Sequence, residues 1–412
     1  MHHRSVAWST AALLVQFLLG GCSPDLVTGR PPTPDGATDD TLADSAAADA
    51  ASPDAAASDV TTADATAADG GTDAPGMPDA MGMPDAMGMP DAMGMPDAPG
   101  MPDAMGMPDA APPRDFSMAG PHRVAIWTGA ITGTQGNARV LYPMTAGTDR
   151  YPLVVFAHGF QLATNNYDRT LTHLASWGYV VASVDYPGSI LGVDHRQVAA
   201  AISAARRVFM GGGPSGFPAS ARVDASHAVA SGHSLGGKGA IMAILADTAF
   251  VAALALDPVD DNPSPLGRVT DSTPSIAPEQ MGGLMRPLGL FGATQSRCAR
   301  LGQVCAPETS DYRQFAAAAP AGATVPVWAL RDFGHMDFVD PGCGLACGAC
   351  TGGAAPLDSR LAALRALSVA FLERFARNDT SVQGYLDGAE RAALLASGVL
   401  WNGQAATLPV CR

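Results

Sequence analysis

The chain has 412 residues and a formal net charge of −15 at pH 7. The acidic charge lies in residues 23–114, which hold 17 Asp and two Arg, whereas residues 115–412 are close to neutral. Neither part has the basic surface that nucleic-acid binding requires, so we expect no DNA or RNA partner.

Residues 1–21 have the pattern of a bacterial lipoprotein signal peptide. Arg4 supplies a short positive region, and residues 11–19 form an apolar run that is too short to span a bilayer. Small residues directly precede Cys22. This cysteine would be acylated, and cleavage of the signal peptide before it would make it the first residue of the mature chain. An ordinary secretion signal is the alternative. We therefore expect an exported protein that is lipid-anchored to the bacterial cell envelope, at the outer membrane or the cell surface.

Residues 22–114 are predicted to be a disordered linker. The sequence Gly-Met-Pro-Asp-Ala occurs six times, beginning at Gly76, Gly82, Gly88, Gly94, Gly100 and Gly106. Proline removes a backbone donor from every unit, and the aspartates repel one another. Too little apolar surface is available to offset the entropy of ordering. We expect an extended spacer, and Cu(I) binding by the methionines is an alternative.

From residue 121 onwards, short apolar runs alternate with helical patterns. This predicts an α/β fold, with a mostly parallel central sheet flanked by helices, as one domain over residues 115–412. Predicted strands cover residues 124–128, 139–143, 153–157, 179–184, 228–232, 252–256, 288–291 and 325–330. Predicted helices cover residues 167–177, 194–210, 235–247, 357–377 and 382–397.

Ser234 is the candidate nucleophile. It stands in the sequence Gly-His-Ser-Leu-Gly, after a predicted strand and before a predicted helix. A serine that attacks an ester is commonly placed on such a tight strand-to-helix turn, with small residues on either side. The alternative is a serine whose hydroxyl only makes structural hydrogen bonds within a glycine-rich turn.

The base and the acid are predicted from chain order. His335 follows the last predicted strand, where the base of such a serine is expected. Asp257 follows the strand after the nucleophile's helix and is our choice for the acid that orients the base. Asp332 and Asp340 are the competing acids, although Asp332 is too near His335 in sequence for an easy approach to the ring.

Two backbone amides are predicted to stabilise the oxyanion of an acyl-transfer intermediate. One is the amide of Leu235, directly after the nucleophile. The other is the amide of Phe160, in the loop after the third strand, where Gly159 allows a close approach. His158 is expected to brace this loop and to take no part in proton transfer.

Five segments carry a resemblance to a known family. They are Ala157-His158-Gly159-Phe160, Gly232-His233-Ser234-Leu235-Gly236-Gly237-Lys238, Leu256-Asp257-Pro258-Val259-Asp260, Cys305-Ala306-Pro307-Glu308 with Asp311-Tyr312, and Gly334-His335-Met336-Asp337-Phe338. With these segments, the chain over about residues 151–388 resembles the chlorophyllase-like branch of the α/β-hydrolases. That branch is close to the platelet-activating-factor acetylhydrolases and to the cutinase-like polyester hydrolases. The resemblance implies a Ser-Asp-His triad and supports Asp257 as the acid; one difference is Leu235, where plant chlorophyllases usually carry arginine.

Six cysteines remain once Cys22 is set aside, and an even number in an exported protein indicates up to three disulfides. They are Cys298, Cys305, Cys343, Cys347, Cys350 and Cys411. We expect Cys298 to pair with Cys305 and the others to join the C-terminal end to the loop after His335, although the sequence leaves the pairing open. A zinc or iron–sulfur site is the alternative.

The sequence therefore predicts a serine carboxylic-ester hydrolase that works through an acyl-enzyme. We expect a small-molecule or polymeric ester substrate, no metal or organic cofactor, a monomer, and membrane attachment through the lipid anchor alone. A cutinase-like or lipase-like polyester hydrolase is one alternative. A catalytically inactive hydrolase fold, displayed as a binding lipoprotein, is an alternative of another class.

Overall fold

The computed structural model describes residues 114–144, 148–189, 192–261 and 272–411. The predicted signal peptide, Cys22 and the spacer up to residue 113 lie outside these ranges, so those assignments stay predictions. Within the described ranges, no helix has both the length and the apolar character needed to cross a bilayer.

Strands and helices alternate along the described residues. The strands are β1 Arg123–Gly129, β2 Gln135–Met144, β3 Tyr151–Ala157, β4 Val180–Asp185, β5 Gly188–Ser189, β6 Gly192–Val193, β7 Val223–His233, β8 Ala252–Leu256, β9 Leu288–Ala293 and β10 Val327–Leu330. The α-helices are α1 Asp168–Ser176, α2 His195–Met210, α3 Leu235–Ala246, α4 Tyr312–Ala318, α5 Asp358–Ala376, α6 Gln383–Asp387 and α7 Ala389–Ala396.

Eight of these strands form one sheet in the order β1-β2-β4-β3-β7-β8-β9-β10. The pairs β1–β2 and β2–β4 are antiparallel, and all the following neighbours are parallel. The small pair β5–β6 forms a separate hairpin. The predicted fold class, a mostly parallel sheet flanked by helices, is confirmed.

The hydrophobic core lies on both faces of the sheet, as β3 illustrates. Leu153 and Val155 pack on one face with residues of α2 and α3, whereas Val154 and Phe156 pack on the other with residues of α1 and α5. All four side chains are at most 1% exposed. A strand buried on both faces has no polar positions, which explains the continuous apolar run in the sequence.

One predicted element differs from the structure. The single helix expected over residues 382–397 is two helices, α6 and α7, which are separated at Gly388. Gly388 has φ −116° and ψ −143°, which is outside the helical region. The backbone is crowded there, because a Cβ at Gly388 would lie 2.9 Å from the Cα of Gly384.

The parallel strands bring four loops to one edge of the sheet. The carboxyl ends of β3, β7, β8 and β10 lie at the same edge, because neighbouring parallel strands run in the same direction. The segments that leave these ends carry Phe160, Ser234, Asp257 and His335 respectively. In parallel sheets this edge is the usual place for a ligand site.

Candidate active site

Ser234 occupies the sharp turn between β7 and α3. Its backbone has φ 55° and ψ −118°, a conformation that is costly for a residue other than glycine and that recurs at functional sites. A Cβ at Gly236 would lie 2.0 Å from the Ala157 carbonyl oxygen, and one at Gly232 would lie 2.3 Å from the Gly236 carbonyl carbon. Only glycine fits at these two positions, which explains their spacing around the serine.

His335 begins a short 3-10 helix, His335–Phe338, that follows β10. The residue is only 4% exposed, and its Nε2 lies 2.9 Å from Oγ of Ser234. The preceding Gly334 is tightly packed, because a Cβ there would lie 2.3 Å from the Thr351 carbonyl oxygen. The imidazole is therefore held within reach of the serine proton by a closely packed backbone.

Asp257 follows β8 and is fully buried. Its Oδ2 lies 2.7 Å from Nδ1 of His335 and also accepts a hydrogen bond of 2.5 Å from the Ser296 hydroxyl. Its Oδ1 accepts the Ala293 N–H at 3.1 Å. Both oxygens are thus satisfied, and the carboxylate is fixed against the ring that it would orient. Sequence reasoning missed Ser296, and no motif around that residue indicates the contact.

The two competing aspartates make other contacts. Asp340 accepts the Arg169 N–H at 2.9 Å on Oδ2, and its Oδ1 accepts the Arg169 Nε–H at 3.1 Å. The Asp332 carboxylate lies 3.8 Å from the Arg331 guanidinium and 3.9 Å from that of Arg360. Neither carboxylate is a ring partner of the candidate base among the described contacts. The geometry favours Asp257, and its catalytic role stays a prediction.

The two candidate oxyanion donors lie in the nucleophile turn and in the turn after β3. Leu235 is the first residue of α3, so its N–H has no partner inside the helix. Phe160 lies in a turn that is closed by a 3.1 Å hydrogen bond from the Leu162 N–H to the Gly159 carbonyl, with Gln161 at φ 59°. Within the described residues, no acceptor binds the Phe160 N–H. Both amides are available to a ligand oxygen.

His233 precedes the nucleophile and is fully buried. Its Nε2 lies 2.9 Å from the His335 carbonyl oxygen, so this nitrogen carries the proton. Its Nδ1 accepts from the Tyr167 hydroxyl at 2.9 Å, and that hydroxyl accepts the Gly159 N–H at 3.0 Å. Burial holds the pKa of His233 well below its usual value, and the charge of His335 lowers it further. The ring is neutral, and sequence reasoning gave neither His233 nor Tyr167 a part in the site.

A buried ion pair joins α3 to the loop after β8. Nζ of Lys238 lies 2.9 Å from Oδ1 of Asp260, with side-chain exposures of 0% and 4%. Burial lowers the pKa of Lys238, and the charge of Asp260 opposes that shift. The Asp260 carboxylate also accepts the backbone N–H groups of Ile276 and Ala277. The pair thereby connects the segments that carry the candidate nucleophile and the candidate acid.

The six cysteines of the described residues form three disulfides: Cys298–Cys411, Cys305–Cys350 and Cys343–Cys347. The expected pairing of Cys298 with Cys305 is wrong. The C-terminal segment lies along the loop before Cys298, where the Arg297 side chain donates to the Pro409 carbonyl at 2.5 Å, and this places Cys411 beside Cys298.

The alternative of a zinc or iron–sulfur site needs free thiolates, and these cysteines are oxidised pairs. Among the described side chains, no group of three or more His, Cys, Asp or Glu is arranged to hold a metal ion.

Comparison with known proteins identifies relatives. The family model for chlorophyllase matches residues 130–391. Chlorophyllase-1, chloroplastic, of Citrus sinensis is 25% identical over 47% of this chain and 57% of its own length. From Arabidopsis thaliana, Chlorophyllase-1 is 28% identical over 49% of this chain and 63% of its own length, and Chlorophyllase-2 is 26% identical over 46% and 61%.

The chain spans less than two thirds of the length of these relatives. The family model nevertheless covers more than half of the chain, and its range includes all the parallel strands of the sheet. The chain therefore belongs to the chlorophyllase family, a branch of the α/β-hydrolases.

Proposed function

We propose that this chain is a serine carboxylic-ester hydrolase that works through an acyl-enzyme. The observation that carries the proposal is the position of the His335 ring. It lies 2.9 Å from Oγ of Ser234 on one side and 2.7 Å from Oδ2 of Asp257 on the other. A nucleophile, a base and an orienting acid in this order are the parts that activate a serine. Membership of the chlorophyllase family supports the same class of reaction.

The reaction proceeds in two halves. Oγ of Ser234 bonds to the ester carbonyl carbon while Nε2 of His335 takes the hydroxyl proton, and the amides of Phe160 and Leu235 stabilise the negative carbonyl oxygen. The bond to the alcohol oxygen then breaks, and the alcohol leaves with the proton from His335. A water molecule next gives a proton to His335 and attacks the acyl carbon. The bond from that carbon to Oγ of Ser234 then breaks, the acid leaves, and His335 returns the proton to Oγ, which restores the Ser234 hydroxyl.

The substrate is proposed as a carboxylic ester, either small or polymeric. The names of the relatives indicate chlorophyll as the substrate of those proteins. Leu235 stands where plant chlorophyllases usually carry arginine, so the residue after the nucleophile differs in this chain. The proposal is therefore limited to ester cleavage.

We also propose that the enzyme is exported and attached to the cell envelope by acylation of Cys22. The support is the apolar leader that ends in small residues directly before this cysteine. Metabolic labelling with a radioactive fatty acid tests it. The parent should incorporate label and a Cys22→Ala variant should not, whereas equal labelling would contradict the proposal.

The hydrolase proposal is tested with p-nitrophenyl esters of increasing acyl length, using the full chain and a Ser234→Ala variant. Release of p-nitrophenol by the parent alone, together with labelling of Ser234 by a fluorophosphonate, is the expected result. A preference for short soluble esters would favour the esterase, and activity on aggregated esters would favour the polyester hydrolase. No turnover and no labelling would overturn the proposal and favour a displayed binding protein.

A further inference from the structure

His158 lies directly before the oxyanion turn and is 4% exposed. Its Nδ1 is 2.8 Å from the Gly159 carbonyl oxygen, and its Nε2 is 2.9 Å from Oδ1 of Asp185. The ring stacks on Tyr186 with the centroids 4.5 Å apart, and the Tyr186 hydroxyl donates to the His158 carbonyl at 2.9 Å. The imidazole is thus fixed by contacts on both nitrogens and on one face.

Both partners of the His158 ring are acceptors. A backbone carbonyl oxygen only accepts, and an ionised carboxylate only accepts. The pKa of the Asp185 carboxyl lies below its usual value: burial alone would raise it, but His158 and the hydrogen bond from the Tyr186 N–H together lower it by more. Asp185 is therefore ionised at neutral pH. Nδ1 of His158 can hold the Gly159 carbonyl only as a donor, and its Nε2 faces the ionised carboxylate of Asp185.

The contact with the Gly159 carbonyl fixes more than that one oxygen. The Gly159 C=O and the Phe160 N–H belong to the same planar peptide, which is trans, since the cis bonds of the described residues precede Pro278 and Pro356. In a trans peptide the two groups point in opposite directions. A donor that holds the carbonyl on one side therefore aims the Phe160 N–H to the other side.

We propose that His158, held in place by Asp185, is a positioning residue that aims the Phe160 N–H at the oxyanion of the substrate. This inference rests on the proposed function, because it assigns a second histidine–aspartate pair to the same reaction. The first pair moves and orients a proton at Ser234. The second pair moves no proton during turnover and fixes the direction of one oxyanion donor.

The size of the effect follows from what else holds the turn. The Leu162 N–H also donates to the Gly159 carbonyl, at 3.1 Å, so loss of His158 loosens the peptide without freeing it. Complete loss of an oxyanion donor lowers kcat roughly 10²–10³-fold. We expect His158→Leu to lower kcat about tenfold and to change KM by less than about twofold, because a misdirected donor weakens the transition state selectively.

The experiment uses the full chain and four variants. His158→Leu removes both ring contacts, and His158→Asn places an amide donor near the position of Nδ1. Asp185→Asn keeps the imidazole but removes the carboxylate that faces its Nε2. His227→Leu is the matched control, because Nδ1 of His227 lies 2.6 Å from Asp224 in a partly exposed pair near the amino end of β7.

The readouts are kcat, KM and the inhibition constant of a trifluoromethyl ketone, whose adduct with the serine places an oxyanion in the hole. We expect His158→Leu to raise the inhibition constant about tenfold, in step with kcat, and His158→Asn to restore part of the loss. Asp185→Asn should have a smaller effect in the same direction, and His227→Leu should match the parent.

The proposal is overturned if His158→Leu and Asp185→Asn keep kcat and the inhibition constant of the parent, or if KM and kcat change together with no effect on the inhibitor. If His158→Leu fails to fold, Asp185→Asn decides alone, because it retains the ring and its packing against Tyr186. Ser234→Ala separates this outcome from a failure of the proposed function. Loss of turnover in that variant leaves the hydrolase established whatever His158 does.

Discussion

The Tyr167 hydroxyl lies 2.9 Å from Nδ1 of His233 and joins two parts of the candidate site that are far apart in the sequence. It also accepts the Gly159 N–H at 3.0 Å, while His233 donates from Nε2 to the His335 carbonyl at 2.9 Å. One buried hydroxyl therefore connects the oxyanion turn with the segment that carries the base. Since Tyr167 is fully buried, solvent cannot replace the hydroxyl.

The Tyr167→Phe variant should be less stable and less active than the parent. It leaves the Gly159 N–H and Nδ1 of His233 without partners, and an unsatisfied buried group costs about 1–3 kcal/mol. We expect the free energy of unfolding in urea to fall by about 2–6 kcal/mol, the cost of two such groups, and kcat to fall several-fold. Tyr142→Phe is the control, because that partly buried ring packs edge-on against Phe217. Equal stability of the two variants would contradict the role of the hydroxyl.

The Asp257→Asn variant should lose most of its turnover and keep its fold. An amide in place of the carboxylate does not hold the base in the right tautomer or stabilise its charged form, and such a change lowers kcat by roughly 10³–10⁴-fold. Asp332→Asn and Asp340→Asn should retain kcat within a few-fold, because neither carboxylate contacts the His335 ring in the described structure. Steady-state ester hydrolysis measures all three. If Asp332→Asn or Asp340→Asn lost most of its turnover while Asp257→Asn stayed active, the aspartate replaced in that control would be the acid.

The candidate triad could be predicted from the sequence, because each of its residues lies in a recognisable local pattern. Ser234 needs glycines on both sides, since a Cβ at either would collide with backbone, and this leaves a pattern five residues long. Asp257 and His335 each follow an apolar strand whose end can be read from composition. The order of strands then places all three at one edge of the sheet.

The contacts that support the candidate triad could not be predicted from the sequence, because no sequence pattern relates the residues that they join. Ser296 donates to an aspartate 39 residues away, and Tyr167 bonds a histidine 66 residues away. Cys298 pairs with Cys411 across 113 residues, although Cys305 is much nearer in sequence. Each contact depends on how loops pack at the sheet edge, and packing is decided by the whole fold.

Stability should fall with pH between about 6.5 and 4, with His173 as one contributor. Burial lowers the pKa of this ring to about 4, although its 2.9 Å hydrogen bond to the Phe116 carbonyl opposes the shift. An unfolded histidine titrates near 6.5. In this window the unfolded chain therefore binds a proton that the folded chain does not. The contribution is complete above pH 6.5 and is lost as the pH falls towards 4.

The His173→Gln variant tests this contribution. Glutamine can still donate to the Phe116 carbonyl but does not titrate, so the urea midpoint should depend less on pH between about 7 and 4.5. Towards pH 4.5, the free energy of unfolding of the parent should have fallen by about 3 kcal/mol more than that of the variant. This figure follows from the pKa shift of His173 at 1.36 kcal/mol per pKa unit. His227→Gln is the matched control, since that side chain is 44% exposed. A pH dependence equal to that of the control would assign the acid sensitivity to other groups.

Replacing Lys238 alone should destabilise the protein more than replacing both Lys238 and Asp260. Both side chains are almost fully buried, so Lys238→Met leaves the Asp260 carboxylate without its counter-charge and should lower the free energy of unfolding by about 3–5 kcal/mol. The double variant Lys238→Met/Asp260→Asn has no buried charge, and its amide oxygen can still accept from Ile276 or Ala277. We expect it to be more stable than Lys238→Met alone, and urea unfolding of the parent, both single variants and the double variant gives the coupling energy. The pair joins the segments of the candidate nucleophile and acid, so kcat should recover along with stability in the double variant. If the losses of stability in the two single variants added up in the double variant, the two side chains would act independently.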